Sequence, residues 1–127
     1  MEQTHPRPLL VLSGLFLIAL VVRVIYFIEL SQIPYFDIVL PVYDHFNFDQ
    51  GGLNFAAGDV LARSPNNSYS PLYKYFLGSL YFLFGKNFYV VYGLQFVLGA
   101  FGAVLIFLIG KRLFDVRAGL LAFIGFA

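Results

Sequence analysis

Two long runs of apolar residues, separated by a more polar stretch, dominate the hydrophobic pattern of the chain. They cover residues 9–30 and 88–110. As helices they would be about 33–35 Å long, and the hydrocarbon core of a bilayer is about 30 Å thick. A cleaved signal peptide has a shorter apolar core followed by a small-residue cleavage site, and the first run shows neither. The pattern therefore predicts two retained membrane spans.

The stretch between the spans, residues 31–87, predicts two shorter helices. Residues 44–57 are compatible with a helix that has Asp44 as its N-cap and Gly58 just beyond its end. Phe48, Gly52 and Phe55 then lie along one face of this helix. Residues 71–84 are apolar but would be only about 21 Å long as a helix. That length is short for a span and typical of a re-entrant or interfacial helix.

Basic residues fix the expected orientation. Lys111, Arg112 and Arg117 crowd the short connection 111–117, which marks it as a cytoplasmic turn. If residues 71–84 do not cross the bilayer, the stretch 31–87 is an outer loop. If they do cross, the stretch 31–87 is no longer one outer loop and the basic cluster falls on the face where basic residues are not expected. We therefore favour the interpretation in which residues 71–84 do not cross.

The last ten residues, 118–127, are apolar but too short to cross a bilayer. We interpret them as the start of a third span, and the chain as the N-terminal part of a longer protein. The alternative is a short tail folded against a partner. The predicted fold class is all-α: a polytopic helical membrane protein with a pair of interfacial helices in its first outer loop.

Composition supports the membrane class and excludes several functions. Of the residues, 60% are hydrophobic and 12% are charged, and the mean hydropathy is +0.79. Soluble domains carry about twice that charged fraction. The net charge of +1 offers no basic stripe for nucleic acid. The chain has no cysteine, which excludes disulfides and thiol catalysis in it.

Several polar residues have competing interpretations. Arg23, late in the first span, either extends to the outer headgroups or faces a lipid phosphate. Asp49 is expected to face water. His45 follows Asp44, but neighbours on a helix do not face one site, so a metal site is only weakly indicated. Asn66, in the polar run 63–70, begins a glycosylation sequon, a pattern with many false positives.

The outer loop carries a spacing that is more specific than any single residue. An Asp is followed by an aromatic residue after four positions, a small residue after eight, and Gly-Asp after fourteen and fifteen. These positions are Asp44, Phe48, Gly52, Gly58 and Asp59. Further along lie a Pro-Leu-Tyr segment that leads to an aromatic-Gly end, a Gln in the second span and a basic-aromatic end. These elements are Pro71-Leu72-Tyr73, Phe84-Gly85, Gln95 and Lys111-Arg112-Leu113-Phe114.

This arrangement resembles the start of the membrane-embedded GT-C glycosyltransferases, which include protein O-mannosyltransferases and the lipid A aminoarabinose transferase. The resemblance implies a plasma or inner membrane enzyme that transfers sugar from a polyprenyl-phosphate donor at the extracytoplasmic face. The acceptor would be a protein, a lipid or a glycan. Asp44 takes the family's general-base role. Candidates for substrate binding are Arg23, Lys74, Asp49 and Tyr73, and Arg23 and Lys74 are chosen for their charge and location.

The chain departs from the family pattern at two positions. His45 stands where Glu is frequent, and Phe48 stands where Tyr is commoner. The missing Glu leaves a divalent metal open, and we predict no other cofactor. The fragment alone is expected to be inactive. The alternative function is a non-catalytic multi-span module, such as a segment of a transporter or an assembly subunit.

Overall fold

The computed structural model describes residues 8–41, 43–61 and 70–127, with the side chain of Pro8 excepted. The run 63–69 and its sequon lie outside the described residues. The described ranges contain helices and no strand. The helices are α1 (Pro8–Ser31), α2 (Asp44–Ala56), α3 (Pro71–Phe84), α4 (Phe88–Leu113) and α5 (Val116–Phe126). The all-α prediction is confirmed.

Two of the helices are long and apolar enough to cross a membrane. They comprise Leu9–Ser31 and Phe88–Leu113, with mean hydropathies of 2.6 and 2.2. Both match the predicted spans. Helix α4 continues three residues beyond residue 110, through Lys111, Arg112 and Leu113. Helix α3 has the bounds expected from the 14-residue apolar run.

The chain divides into two compact units. The first contains the chain up to Gln32 together with Gly93–Ala127, and the second contains Ile33–Tyr92. The first unit has an apolar core, mostly of alanine and phenylalanine, from α1, α4 and α5. Its buried members are Leu15, Ala19, Ala100, Ala103, Phe107 and Phe123. The small side chains let helix backbones approach closely, as predicted for the second span.

Helices α4 and α5 meet backbone to backbone through two glycines. A Cβ built on Gly119 would lie 2.7 Å from the carbonyl oxygen of Phe107. A Cβ built on Gly110 would lie 2.9 Å from the Cα of Gly119. The connection between these helices is closed by Asp115, whose carboxylate accepts a 2.7 Å hydrogen bond from the amide of Ala118 and caps α5.

The second unit is built on the packing of α2 against α3. Its buried apolar core is Leu77, Leu80, Tyr81 and Val91. Helix α2 approaches through glycine: a Cβ on Gly52 would lie 2.9 Å from the Cβ of Leu77. On α3, a Cβ on Gly78 would lie 2.5 Å from Phe55. The predicted face of α2, Phe48 with Gly52 and Phe55, is therefore its contact face with α3.

The C-terminus of α2 follows the prediction, and its N-terminus differs by one residue. Gly58 has φ +108° and donates to the carbonyl of Phe55, while Asp59 donates to the carbonyl of Asn54. These two bonds form a Schellman motif with glycine in the position that favours it. Asp44, however, is the first helical residue and not the N-cap. The N-cap is Tyr43, whose extended backbone carries no side-chain capping bond.

Candidate functional site

The structure brings four of the five predicted site residues into one unit. Asp44 and Asp49 lie on α2, and Tyr73 and Lys74 lie on α3, all within the second unit. Arg23 lies on α1 in the first unit. The candidate site is therefore the α2–α3 region of the second unit.

Asp44 presents an exposed carboxylate at the first turn of α2. It borders a cavity of about 400 Å³, and Asn47, Phe48 and Ser70 are the other described lining residues. The N-terminal end of a helix carries a partial positive charge from its unpaired amides, which favours a negative side chain. The position thus places an exposed carboxylate beside that cavity.

His45 anchors the segment that precedes α2. Its Nε2 accepts a 3.1 Å hydrogen bond from the amide of Leu40, so this nitrogen acts as an acceptor in the contact. Its ring stacks on Tyr43 at a centroid distance of 5.5 Å. Both contacts hold the chain just before Asp44. Within the ranges that the structure describes, no three His, Cys, Asp or Glu side chains gather as metal ligands.

Asp49 is buried, and the expectation that it faces water is wrong. The residue is 3% exposed. Its Oδ1 accepts a 2.9 Å hydrogen bond from the hydroxyl of Tyr81, and its Oδ2 lies 2.7 Å from the Nζ of Lys86. A buried carboxylate is tolerated because these two donors replace water. The periodicity of α2 could not reveal this, since both donors come from elsewhere in the chain.

The environment of Tyr81 favours its neutral form. Burial raises the pKa of Tyr81 above its usual value, and the hydrogen bond to the Asp49 carboxylate and that group's negative charge raise this pKa further. The hydroxyl consequently remains a donor to Asp49. Lys86, whose side chain is 38% exposed, lies just after α3 and also approaches the ring of Phe88 at 5.4 Å.

A cavity of about 450 Å³ opens beside this ion pair. Aromatic rings dominate its lining, and the polar groups on its wall include Asp49 and His45. Its aromatic lining residues are Tyr35, Phe36, Phe48, Tyr73, Tyr81, Phe88 and Tyr92. The volume falls within the range of small-molecule sites, which commonly combine apolar walls with a few polar groups.

Tyr73 and Lys74 have different environments although they are adjacent. Tyr73 lines the larger cavity, and its ring meets Phe48 edge-on at 5.2 Å. Lys74 is 2% exposed, and its aliphatic stem packs on Gly51. Desolvation lowers the pKa of Lys74 below its ordinary value. Tyr73 is thus open to a ligand, whereas Lys74 is enclosed between the two helices.

Arg23 is half-buried within the first unit. Its guanidinium donates to the backbone carbonyls of Phe126 and Ala127 and lies over the ring of Phe126 at 5.5 Å. Gly99 makes room for it, because a Cβ there would lie 2.7 Å from the guanidinium Nε. These two oxygens accept hydrogen bonds from a cation that lies within an apolar helix.

Sequence reasoning missed Tyr81 and Lys86 as members of this region. Lys86 carried one signal, its place directly after Gly85, which has φ +73° and ends α3. Comparisons with protein-family models, with curated proteins and with solved structures give no match.

Proposed function

We propose that this chain belongs to a membrane glycosyltransferase of the GT-C type. It transfers a sugar from a polyprenyl-phosphate donor to a protein, lipid or glycan acceptor at the extracytoplasmic face of the plasma or inner membrane. The observation that carries this proposal is the contrast between the two acidic residues of α2. Asp44 is exposed beside a cavity, whereas Asp49 is buried and bonded to two donors.

That contrast supports Asp44 as the general base. A base must come within about 3 Å of the proton that it removes, so its carboxylate has to be open to the substrate. Asp44 meets this requirement and also stands at the position that the resemblance gives to the base. Asp49 does not meet it, because both of its oxygens already accept hydrogen bonds.

The proposed step is a displacement at the anomeric carbon. Asp44 takes the proton from the acceptor hydroxyl or amine, and the freed electron pair forms the new bond to the anomeric carbon. The bond from that carbon to the phosphate oxygen breaks, and the polyprenyl phosphate leaves with the electron pair. One carboxylate is sufficient because phosphate is a good leaving group, unlike the alkoxide of glycoside hydrolysis.

Other residues would contribute binding. The ring of Tyr73 offers an apolar face to a substrate in the larger cavity. Arg23 stays a candidate contact for the phosphate by its charge alone, because its guanidinium already donates to the backbone oxygens of Phe126 and Ala127. Lys74 remains a weaker candidate, because its burial against Gly51 keeps it away from an open site.

The two long apolar helices support the membrane setting. Their side chains are largely exposed in the structure, as expected for helices that face lipid. The basic cluster of Lys111, Arg112 and Arg117 would lie on the cytoplasmic side and the α2–α3 region outside.

The test is Asp44→Asn in the protein expressed from its complete reading frame, assayed in vesicles with a polyprenyl-phosphate sugar. Asn preserves the shape of the side chain but cannot accept the proton. General-base catalysis contributes about 10²–10⁴-fold, so we expect turnover to fall by about 100-fold or more at equal membrane expression. The matched control is Asp37→Asn, the same change at an exposed carboxylate, which should keep parental turnover.

Retained turnover in Asp44→Asn would remove this residue from the mechanism. A second measurement tests the topology: a cysteine at position 44 should react with an impermeant reagent added from outside. Labelling only from the cytoplasmic side would contradict the proposal. It would favour the alternative, a non-catalytic multi-span module, which the close α4–α5 packing fits equally well.

A further inference from the structure

The α2–α3 contact is closest where two glycines of α2 lie against α3. Gly51 and Gly52 face α3 directly, and a Cβ on Gly51 would lie 2.5 Å from the Cδ of Lys74. Glycine permits the approach of the two backbones, but it supplies no side chain that interlocks with the neighbouring helix. These glycines themselves put no constraint on the rotation of α2 about its own axis, so other side chains of the helix must supply one.

Asp49, two residues before this glycine pair, supplies such a constraint. One carboxylate oxygen accepts from Tyr81 on α3, and the other accepts from Lys86 in the connection that follows α3. Two bonds to two oxygens from separate points of the chain fix both the position and the rotation of the carboxylate. Bonds of a charged carboxylate in a buried setting are among the stronger polar contacts.

We propose that Asp49 is a positioning residue for Asp44. The two residues are five positions apart on α2, which is about 7.5 Å along the axis and about 140° around it. Because a helix turns as a rigid body, the Asp49 contacts with Tyr81 and Lys86 set the direction in which the Asp44 carboxylate projects. This inference rests on the proposed function in one respect only, the role of Asp44 as the base.

Apolar packing should keep α2 on α3 even when the contacts of Asp49 with Tyr81 and Lys86 are lost. Phe48, Leu53 and Ala56 of α2 pack against the core formed by Leu77 and Tyr81 with their neighbours. Loss of the ion pair is therefore expected to alter the orientation of α2 and to leave the helix in place. A changed orientation with the helix still in place would distinguish a positioning role of Asp49 from a merely structural one.

The first experiment measures orientation without using activity. Spin labels are attached to cysteines at positions 44 and 83, both exposed, in the protein from its complete reading frame with other cysteines replaced. The described chain has no cysteine of its own. The parent should give a narrow distance distribution. Asp49→Asn, which loses the Lys86 bond, should broaden or shift it while helix content by circular dichroism stays constant. An unchanged distribution would overturn the claim that Asp49 fixes the orientation of α2.

The second experiment measures turnover in protein that retains Asp44. Asp49→Asn should lower kcat by about tenfold and change KM less than twofold, because the base is misdirected while the binding surface remains. Asp37→Asn again serves as the control. Parental kcat in Asp49→Asn, together with a broadened distance distribution, would overturn the positioning of the base.

Substitutions at Lys86 keep the inference testable if Asp49→Asn does not fold. Lys86 is partly exposed, so a substitution there should disturb folding less than one at the buried Asp49. Lys86→Arg can still donate to Asp49 and should preserve both the narrow distribution and kcat. Lys86→Gln should broaden the distribution and lower kcat. If these two variants gave the same distance distribution and the same kcat, the bond from Lys86 to Asp49 would not be what orients α2.

The two proposals fail in different ways. If Asp44→Asn keeps its turnover, the proposed function fails, and with it the claim that Asp49 directs a base. The spin-label distances would still report whether Asp49 fixes α2. If Asp44→Asn is inactive and the spin-label distances in Asp49→Asn equal those of the parent, only the positioning inference fails.

Discussion

Lys86 reaches back 37 residues to Asp49, and its Nζ lies 2.7 Å from the carboxylate Oδ2. The lysine is partly exposed while the aspartate is buried, so the pair joins the surface connection after α3 to the interior of the α2–α3 contact. Tyr81 donates to the other oxygen of the same carboxylate at 2.9 Å. The three residues form one polar cluster in this contact, and Lys74 is a second buried charged residue there.

Removal of Lys86 alone should cost more than removal of both charges. Lys86→Met leaves the buried Asp49 carboxylate with Tyr81 as its remaining described partner, and we expect the free energy of unfolding to fall by about 1–3 kcal/mol. The double variant Asp49→Asn with Lys86→Met should recover part of that loss, because the uncompensated charge is gone. Unfolding in detergent micelles measures both, and a double variant less stable than Lys86→Met would contradict the expectation.

Gly78 should not tolerate a methyl group. A Cβ at this position would lie 2.5–2.7 Å from three atoms of Phe55, so Gly78→Ala forces α2 and α3 apart. Overpacking of this kind costs about 1–3 kcal/mol. The matched control is Gly93→Ala in α4, where nothing lies within 4 Å and the better helix propensity of alanine should raise stability slightly. Equal thermal midpoints for the two variants would show that the contact is not closely packed.

Stability should decline at alkaline pH through Tyr81. The pKa of Tyr81 is raised in the folded protein, whereas in the unfolded chain its pKa lies near the ordinary tyrosine value of 10.0. Its contribution to stability is therefore complete below about pH 10 and decreases as the pH rises above that value, where the unfolded state loses its proton first. Tyr81→Phe should weaken this pH dependence, and it should also lower stability at neutral pH through the lost bond to Asp49.

The control for this measurement is Tyr35→Phe, because Tyr35 is 72% exposed whereas Tyr81 is buried. Unfolding curves between pH 8 and pH 11 compare the two variants with the parent. If Tyr81→Phe and Tyr35→Phe showed the same alkaline slope, burial of Tyr81 would not be its cause.

The sequence by itself determined the helices and several of their ends. Uninterrupted apolar runs of the right length predicted α1, α3 and α4, because a helix is the way to satisfy backbone polar groups in an apolar setting. Gly58 marked the end of α2, since its left-handed conformation is readily adopted by glycine alone. These features depend on neighbours within a few positions of the chain.

Tertiary structure decided which polar residues are buried. Helix α2 carries Asp44, Asn47, Asp49 and Gln50 on several sides, so its periodicity gives no single polar face. Asp49 became the buried residue because Tyr81 and Lys86 reach it from a distant part of the chain. Lys74 became enclosed because Gly51 leaves space for its stem. Burial of a charge depends on the partners that folding brings to it, and local sequence does not contain them.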